Sequence, residues 1–480
     1  MNYFNLYSSY PDDTIAAAWD SQVAEAAQTP WLKEELRRCD SDLFPPFAAC
    51  YAELRALPRS ARRALQRRIA RSSELAAILP EWFRSGGGRA LQYKLARSLA
   101  GAALLLALGQ GIIEAATINV TTANPKAKRD GQCSLIEAII NANRDAAKHK
   151  DCPAGSGADT IVLPSSADIT LNSVNNRTHG RTGLPVITSP ITIEGNGAEI
   201  VGNNKNRKRP FRLIAVGDTG ELTLQNVTLS GGSADEGGAI LNHGTLAVEN
   251  SIISGNQGGG VFNGATLTIQ NSTISDNEGG GVTNTGTLTI ENSTLSLNTS
   301  AGVGGGVSNF GSGAVSVKNS TISGNRAADR GGGIFNFNPY SSVSIENSII
   351  SGNHAVYSGG GIYNSGAVNV AGSTISGNSA SRGGGAFNSR SYSLPASLSL
   401  TNSTISGNVA SDDGGGIFNY RSYCGFYYCY FGGYLSLADS TITQNVAGDS
   451  GGGLFNEGTL SMTNSTISNN QAPNGPDIFP

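Results

Sequence analysis

Short apolar stretches separated by polar residues recur through the second half of the chain. In one such stretch, Leu267 and Ile269 alternate with threonines, which predicts a strand with one buried face. Ile274 follows five residues after Ile269, and this odd step keeps both side chains on one face only if the chain bends at Asn271. Each unit is therefore predicted to contain a strand, a bend and a second strand.

This unit occurs ten times, and its first residues are Asn226, Asn250, Asn271, Asn292, Asn319, Asn347, Gly372, Asn402, Asp439 and Asn464. A glycine-rich motif, such as GGGIFN at Gly331–Asn336, interleaves with it nine times. The shortest spacing is 21 residues, and longer spacings hold insertions. Coils stacked about 4.8 Å apart would pair as a parallel sheet. We therefore expect a mainly β fold, a right-handed parallel β-helix (solenoid), preceded by a helical N-terminal segment.

Equivalent positions of stacked coils should form columns. One predicted interior column holds aliphatic side chains, namely Ile274, Ile322, Ile375, Ile405 and Ile467. At the bend, asparagine tolerates a left-handed backbone, and its amide can bond to the amide of the next coil. This predicts a structural ladder of Asn250, Asn271, Asn292, Asn319, Asn347, Asn402 and Asn464. Aliphatic residues in register disfavour the alternative of a flexible Gly/Ser/Asn linker.

The region before the repeats contains an apolar run, Leu99–Leu108, preceded by Lys94 and Arg97. A basic flank, a short apolar core and small residues after it predict a signal peptide at residues 97–116. An uncleaved signal-anchor is the alternative, so a membrane contact is expected only through residues 98–116. Residues 1–96 are predicted to be a helical, basic region, either a cytoplasmic domain or the product of a misassigned start.

Charge and composition disfavour a disordered chain and a nucleic-acid-binding protein. The chain holds 63 Gly and only 14% charged residues, and apolar residues recur at fixed positions, which favours an ordered repeat over disorder. Residues 220–472 contain six Lys/Arg against fourteen Asp/Glu. The long C-terminal part is therefore acidic and offers no basic surface for nucleic acid.

Four of the six cysteines form two close pairs, Cys133 with Cys152 and Cys424 with Cys429. Oxidised pairs are typical of periplasmic or extracellular proteins. Neither pair has the spacing of a zinc site, and the chain has only four histidines, so we expect no metal and no cofactor.

The segment Asp130–Asn143, DGQCSLIEAIINAN, resembles the opening motif of the surface β-helix family named CSLREA, although Ile136 stands where that family has Arg. The resemblance implies a short helix that caps the first coil within residues 117–164, tied down by Cys133 and Cys152, with the repeats at 165–480. The glycine-rich repeats also resemble those of polymorphic outer-membrane proteins of bacteria. Both resemblances imply a secreted or surface protein, often without an assigned activity.

Polysaccharide-cleaving β-helix enzymes need clustered carboxylates, and the best candidate pair is Asp412-Asp413. No histidine follows Asp413, and the equivalent positions of other coils vary, among them Asp449-Ser450. We interpret this site as a variable surface loop and assign no catalytic residue. An enzyme should show acids from neighbouring coils converging, whereas a display module should show acids spread singly and aromatic residues clustered.

The longest spacing, 37 residues, contains the aromatic insertion Tyr420–Tyr434 around Cys424 and Cys429. Flat aromatic rings suit stacking on sugars or anchoring a protein contact. The candidate ligand-binding residues are Tyr420, Tyr423, Phe426, Tyr427, Tyr428, Tyr430, Phe431 and Tyr434. The alternative is that these rings pack on each other and cover the coil. A smaller aromatic insertion lies at Phe335–Tyr340.

Together these features predict a secreted or cell-surface, adhesin-like binding or structural module without catalytic activity. A polysaccharide lyase or hydrolase is the alternative. The expected partners are a carbohydrate or a surface protein, with self-association through the C-terminal coil as a further expectation. The expected location is extracellular, cell-surface or periplasmic, with a cytoplasmic N-terminal region if the signal is not cleaved.

Overall fold

A computed structural model describes residues 115–203, 210–389, 395–421, 423–424, 429–430 and 432–480. Ala115–Pro480 form one compact unit. The predicted helical region 1–96 and almost all of the predicted signal segment 97–116 lie outside the described residues. Within the described ranges, no helix is both long enough and apolar enough to cross a membrane.

The repeats form a parallel β-helix whose largest sheet has 23 strands. Two long strands, β4 (Pro190–Gly202) and β6 (Glu221–Ser230), span two stacks of this sheet. The first stack contains β1 (Thr117–Asn119), β2 (Asp159–Val162), β8 (Thr245–Glu249), β11 (Thr266–Gln270), β14 (Thr287–Glu291), β18 (Ala314–Lys318), β22 (Ser342–Glu346), β26 (Ala367–Ala371), β30 (Ser397–Thr401), β36 (Tyr434–Ala438) and β40 (Thr459–Thr463). The second contains β3 (Asp168–Leu171), β9 (Ile252–Ser254), β12 (Thr273–Ser275), β15 (Thr294–Ser296), β19 (Thr321–Ser323), β23 (Ile349–Ser351), β27 (Thr374–Ser376), β31 (Thr404–Ser406), β37 (Thr441–Thr443) and β41 (Thr466–Ser468).

Two smaller parallel sheets complete the coils, and one hairpin lies outside them. The 11-stranded sheet follows the glycine-rich motifs and contains β5 (Ile214–Val216), β7 (Ile240–Asn242), β10 (Val261–Asn263), β13 (Val282–Asn284), β17 (Val307–Asn309), β21 (Ile334–Asn336), β25 (Ile362–Asn364), β29 (Ala386–Asn388), β33 (Ile417–Asn419), β39 (Leu454–Asn456) and β42 (Ile478–Phe479). The six-stranded sheet contains β16 (Thr299–Ser300), β20 (Arg326–Ala327), β24 (His354–Ala355), β28 (Ser379–Ala380), β32 (Val409–Ala410) and β38 (Val446–Ala447). The antiparallel hairpin is β34 (Tyr423–Cys424) with β35 (Cys429–Tyr430).

Equivalent residues of neighbouring coils pair in register, as Leu267 with Leu288 and Ile269 with Ile290. The prediction of a mainly β, parallel β-helix is thus confirmed. Four members of the expected isoleucine column, from Ile274 to Ile405, have no exposed surface, and Ile467 of the last coil is partly buried.

The asparagines at the bend adopt the expected left-handed backbone, with φ of 48° to 50°. Their side chains are exposed, however, and no amide–amide hydrogen bond joins them in the described part of the chain, so the predicted amide ladder is wrong for this column. Two other columns carry such ladders, with Nδ2–Oδ1 distances of 2.9–3.0 Å in the first and 2.7–3.0 Å in the second. The first ladder is Asn256, Asn277, Asn298, Asn325, Asn353, Asn378, Asn408, Asn445 and Asn470. The second is Asn242, Asn263, Asn284, Asn309, Asn336, Asn364, Asn388, Asn419 and Asn456.

The difference follows from burial. An asparagine inside the coil must satisfy its amide without water, and the next coil supplies the partner. An asparagine at the exposed bend has water for its amide, and only its backbone conformation is needed there.

The segment before the repeats contains one helix in the described ranges, α1 (Leu135–Ala142). Ser134 and Glu137 form a reciprocal capping box at its start, and Leu135 and Ile139 are fully buried in the core. A disulfide joins Cys133 to Cys152. The boundary expected at residues 164/165 does not separate this cap from the sheet, because β1 and β2 already pair with each other and β2 pairs with β4.

Candidate functional site

The outer face of the 11-stranded sheet carries a continuous column of aromatic rings. In each three-residue strand the first and third residues point into the coil, so the middle residue points outward. Consecutive ring centroids lie 4.6–5.5 Å apart and the rings are stacked. We call Phe335, Tyr363, Phe387, Phe418, Phe455 and Phe479 the aromatic column.

Side chains from the loops on both sides of this sheet cover the column. Although they point outward, Phe335, Tyr363, Phe387 and Phe418 are only 3–6% exposed. The Arg330 guanidinium lies 5.4 Å from the Tyr363 ring centroid, and the Arg382 guanidinium lies 5.9 Å from that of Phe418. These cation–π contacts hold two arginines against the rings.

Further aromatic side chains, in the loops next to this sheet and at the start of β36, are exposed. Their exposed fractions are 48% for Phe337, 66% for Tyr340, 59% for Tyr357 and 41% for Tyr434. These four, which we call the aromatic flanks, are the exposed aromatic residues of the part of the chain that the structure describes. Accessible rings therefore occur in segments that precede or follow the strands of the aromatic column.

Three carboxylates converge beside the same face. One oxygen from each of Asp412, Asp413 and Asp449 lies within 4.8 Å of the others, and we call these residues the acid cluster. In-register stacking brings them together, since the Asp449 N–H donates to the Asp412 carbonyl at 2.9 Å. Arg382 Nε lies 2.9 Å from Asp412 Oδ2 and 3.8 Å from Asp413 Oδ2.

Like charges at stacked positions of neighbouring coils repel each other, and the guanidinium of Arg382 offsets only part of the repulsion among the three carboxylates. Burial raises the pKa of the Asp413 carboxyl, and the charge of Asp412 raises it further, while Arg382 acts in the opposite direction. Carboxylate oxygens in this arrangement are the ligands that a hard divalent cation such as Ca²⁺ prefers. The acid cluster could therefore hold such an ion or take part in acid–base chemistry.

The convergence of these three carboxylates differs from the expectation that a display module has its acidic residues spread singly. The equivalence of Asp449 to Asp412 is visible in the sequence, where we interpret it as loop variability. This equivalence is the sequence signal that points to the acid cluster, because equivalent positions of adjacent coils lie in contact.

The structure describes the aromatic insertion in part. Tyr420 packs against Phe387 and Phe418, with centroid distances of 6.0 and 5.7 Å, as the covering alternative expects. Tyr434 instead begins β36 and belongs to the exposed aromatic flanks. The remaining candidates either lie outside the described residues or are described by backbone only, namely Tyr423, Phe426, Tyr427, Tyr428, Tyr430 and Phe431.

In the hairpin, Cys424 pairs directly with Cys429. Directly opposite residues of an antiparallel pair have Cα atoms about 4.5–5.5 Å apart, within the range of a disulfide. The expected Cys424–Cys429 disulfide stays a prediction.

Comparison with protein-family models supports the fold. Residues 189–338 match the family model described as a right-handed beta helix region. The crystal structure of PfbA, a surface adhesin of Streptococcus pneumoniae, is 11% identical, with a TM-score of 0.36, and the match covers 71% of this chain and 89% of that chain. The crystal structure of pectate lyase Pel9A is 11% identical, with a TM-score of 0.34, and the match covers 75% and 80%.

No curated protein matches the chain. At such low identities and TM-scores, the two solved structures assign no activity to it. The repeats of this chain thus form a right-handed parallel β-helix.

Proposed function

We propose that this protein is an adhesin-like module of the cell surface that binds a carbohydrate or a surface protein through the aromatic flanks. The observation that carries the proposal is that exposed aromatic side chains occur in the segments next to the strands of the 11-stranded sheet, namely Phe337, Tyr340 and Tyr357, and at the start of β36, where Tyr434 lies. Aromatic rings contribute large contact areas at low entropic cost and dominate many recognition surfaces.

The backbone presents these rings from defined positions. The Tyr357 N–H donates to the Asp329 carbonyl at 2.9 Å, and the Tyr357 carbonyl accepts from the Arg382 N–H at 2.9 Å. The Tyr340 N–H donates to Asn338 Oδ1 at 2.9 Å within its loop. A preorganised surface loses less conformational freedom when a ligand binds, which favours affinity.

The test uses the purified full chain on arrays of neutral and acidic glycans and on extracted surface proteins. We expect a Tyr340→Ser/Tyr357→Ser variant to lose about tenfold or more in affinity, as loss of aromatic anchors does. The matched control is Leu297→Ser/Ile349→Ser, which removes side chains that are 57% and 46% exposed elsewhere on the coils. Equal loss in both variants, or no ligand at all, would contradict the proposal.

The acid cluster favours a second candidate function, cleavage of a polysaccharide. Paired carboxylates are the usual acid and base in glycoside hydrolysis. The chain has no Lys after Lys318 and no His after His354, so proton transfer would rest on the carboxylates of the acid cluster themselves.

Release of new chain ends from a glycan panel, with added Ca²⁺ and with EDTA, distinguishes the two functions. We expect no release in either condition. Release that disappears in Asp413→Asn would replace the binding proposal with the enzymatic one.

The proposed location is extracellular or periplasmic. A disulfide between Cys133 and Cys152 is stable in oxidising compartments and rare in the cytosol.

A further inference from the structure

A surface cavity of about 500 Å³, open to solvent, lies at the C-terminal end of α1, far along the chain from the aromatic flanks. The helix, the loop after it and one residue of an early coil form its walls. Its lining residues are Ile140, Asn143, Arg144, Lys148, His149 and Thr188.

Hydrogen bonds hold the walls in place. Asn143 Nδ2 donates to the Val186 carbonyl at 2.7 Å, and Asn143 Oδ1 accepts the Thr188 N–H at 2.8 Å. The buried Asn141 side chain bonds to both the carbonyl and the N–H of His149, at 2.9 and 2.8 Å. The cavity therefore has a fixed backbone frame rather than a loop free to close.

The lining contains cationic side chains and no acid. Arg144 and Lys148 form no ion pair within the described ranges of the chain. The acids nearest to them in sequence are oriented by the backbone instead, since Asp145 Oδ1 accepts the Gly157 N–H at 2.8 Å and Asp151 Oδ2 accepts two backbone N–H groups. Arg144 and Lys148 thus line the cavity as cations without an ion-pair partner in the described part of the chain.

One acid does approach a lining residue, because Glu137 Oε1 lies 3.5 Å from His149 Nδ1. Glu137 is 1% exposed, and its carboxylate already accepts the Ser134 N–H and hydroxyl and the Lys128 N–H. It therefore belongs to the helix cap and does not neutralise Arg144 or Lys148.

Cations after a helix are also favoured by the helix dipole alone. Here three of the last four carbonyls of α1 have backbone partners, since Ile139 O accepts from the Asn143 N–H, Asn141 O from the Arg144 N–H and Ala142 O from the Asp145 N–H. The side chains of Arg144 and Lys148 are not needed as caps, which leaves them available for a ligand.

We propose that this cavity binds an anionic sugar unit, through its carboxylate or sulfate group. Arginine binds both groups with paired hydrogen bonds, and about 300–1,000 Å³ is the usual size of a small-ligand site. Ile140 adds an apolar wall for the sugar ring. The acidic body of the coils, with six Lys/Arg against fourteen Asp/Glu in residues 220–472, would repel the same ligand, so binding should depend on the cap.

Isothermal titration of the full chain tests this proposal with three probes, a heparin hexasaccharide, an oligogalacturonate and a neutral dextran oligosaccharide. We expect binding of at least one charged probe and none of the neutral one.

Arg144→Gln/Lys148→Gln should lower the affinity about tenfold or more, as loss of charged hydrogen bonds does. Lys126→Gln/Lys150→Gln makes the same change in net charge at exposed positions outside the lining, and should keep the affinity within about threefold.

Absence of binding by the wild type, or equal loss in both double variants, would overturn the proposal. Hydrogen exchange of the wild type tests the same site without any substitution. The charged probe should protect the backbone amides of residues 140–149 from exchange. Unchanged exchange in these residues would also overturn the proposal. The result does not depend on the aromatic flanks, because all four substitutions lie in the cap.

Discussion

At the scale of the residue, asparagine has different roles in different columns. At the bend, Asn319 supplies a left-handed backbone with φ of 48°, and Gly372 occupies the equivalent position of another coil with φ of 55°. Inside the coil, Asn325 has no exposed surface and donates its amide to Asn353 at 3.0 Å and to the Leu295 carbonyl at 2.9 Å. The residue type is shared, but the requirement is conformational in one column and hydrogen bonding in the other.

Replacing these two asparagines should therefore have different effects. We expect Asn325→Ala to lower the free energy of unfolding by about 2–4 kcal/mol, because it leaves buried partners unsatisfied. We expect Asn319→Gly to change it by less than about 1 kcal/mol, since glycine adopts a positive φ readily. Urea denaturation followed by circular dichroism measures both, and equal effects would contradict these roles.

Asp413 should make stability depend on pH. Its pKa is raised in the folded protein by burial and by Asp412. The folded state therefore holds the proton more tightly than the unfolded chain does, so the stability from this group is present below the ordinary pKa of 3.8 and is lost as pH rises through the folded pKa.

Asp413→Asn should remove this dependence. With EDTA present, we expect the Tm of the variant to exceed that of the wild type at pH 7 and the difference to shrink at pH 4. Thermal melts over this pH range provide the measurement. A variant that is less stable at pH 7 would show that the acid cluster favours a charged Asp413.

At the scale of the element, the cap helix α1 is defined by local chemistry. Ser134 and Glu137 close its first turn, and the S-x-x-E spacing that produces this capping box is present in the sequence. Cys133 and Cys152, 19 residues apart, join the start of the helix to the loop that follows it. Ile136, in the same first turn of the helix, is 9% exposed and joins the apolar core.

Loss of this disulfide should destabilise the cap. In a Cys424→Ser/Cys429→Ser background, we expect a further Cys133→Ser/Cys152→Ser change to lower the unfolding free energy by about 3 kcal/mol, from the entropy of the opened loop. Dithiothreitol should lower the Tm of the background protein and leave that of the further variant unchanged. A background protein insensitive to the reductant would contradict a stabilising bond.

At the scale of the whole molecule, in-register stacking converts a one-dimensional repeat into continuous columns. The last coil is the place where a column becomes accessible. Met462 is 38% exposed, whereas its in-register partner Leu437 is 1% exposed. An exposed apolar side chain of the interior column favours contact with a second apolar surface.

The expected self-association through this coil remains a proposal with a direct test. Sedimentation velocity of the full chain over a range of concentrations should show a dimer at the higher ones. Met462→Lys should weaken the dimer, while Ser461→Lys, an exposed position on the other side of the same strand, should weaken it less. A wild type that stays monomeric throughout would contradict the proposal.

The period and the register of the coils could be predicted from the sequence, because each is a local property. Leu267 and Ile269 alternate over a few residues, Asn271 marks the bend, and identical units must stack in register. These three facts lead to a parallel β-helix before any coordinate is known.

The contents of the site depended on the tertiary structure, because they arise from contacts between residues one or more coils apart. The equivalence of Asp412 and Asp449 is visible in the sequence, but the directions of their side chains, and so the convergence of their carboxylates with that of Asp413, are properties of the folded loops. Arg382 covers an aromatic ring and also pairs with Asp412, which no spacing encodes. Burial decided between the asparagine columns in the same way, since whether an amide faces water is a property of the folded coil and not of the repeat.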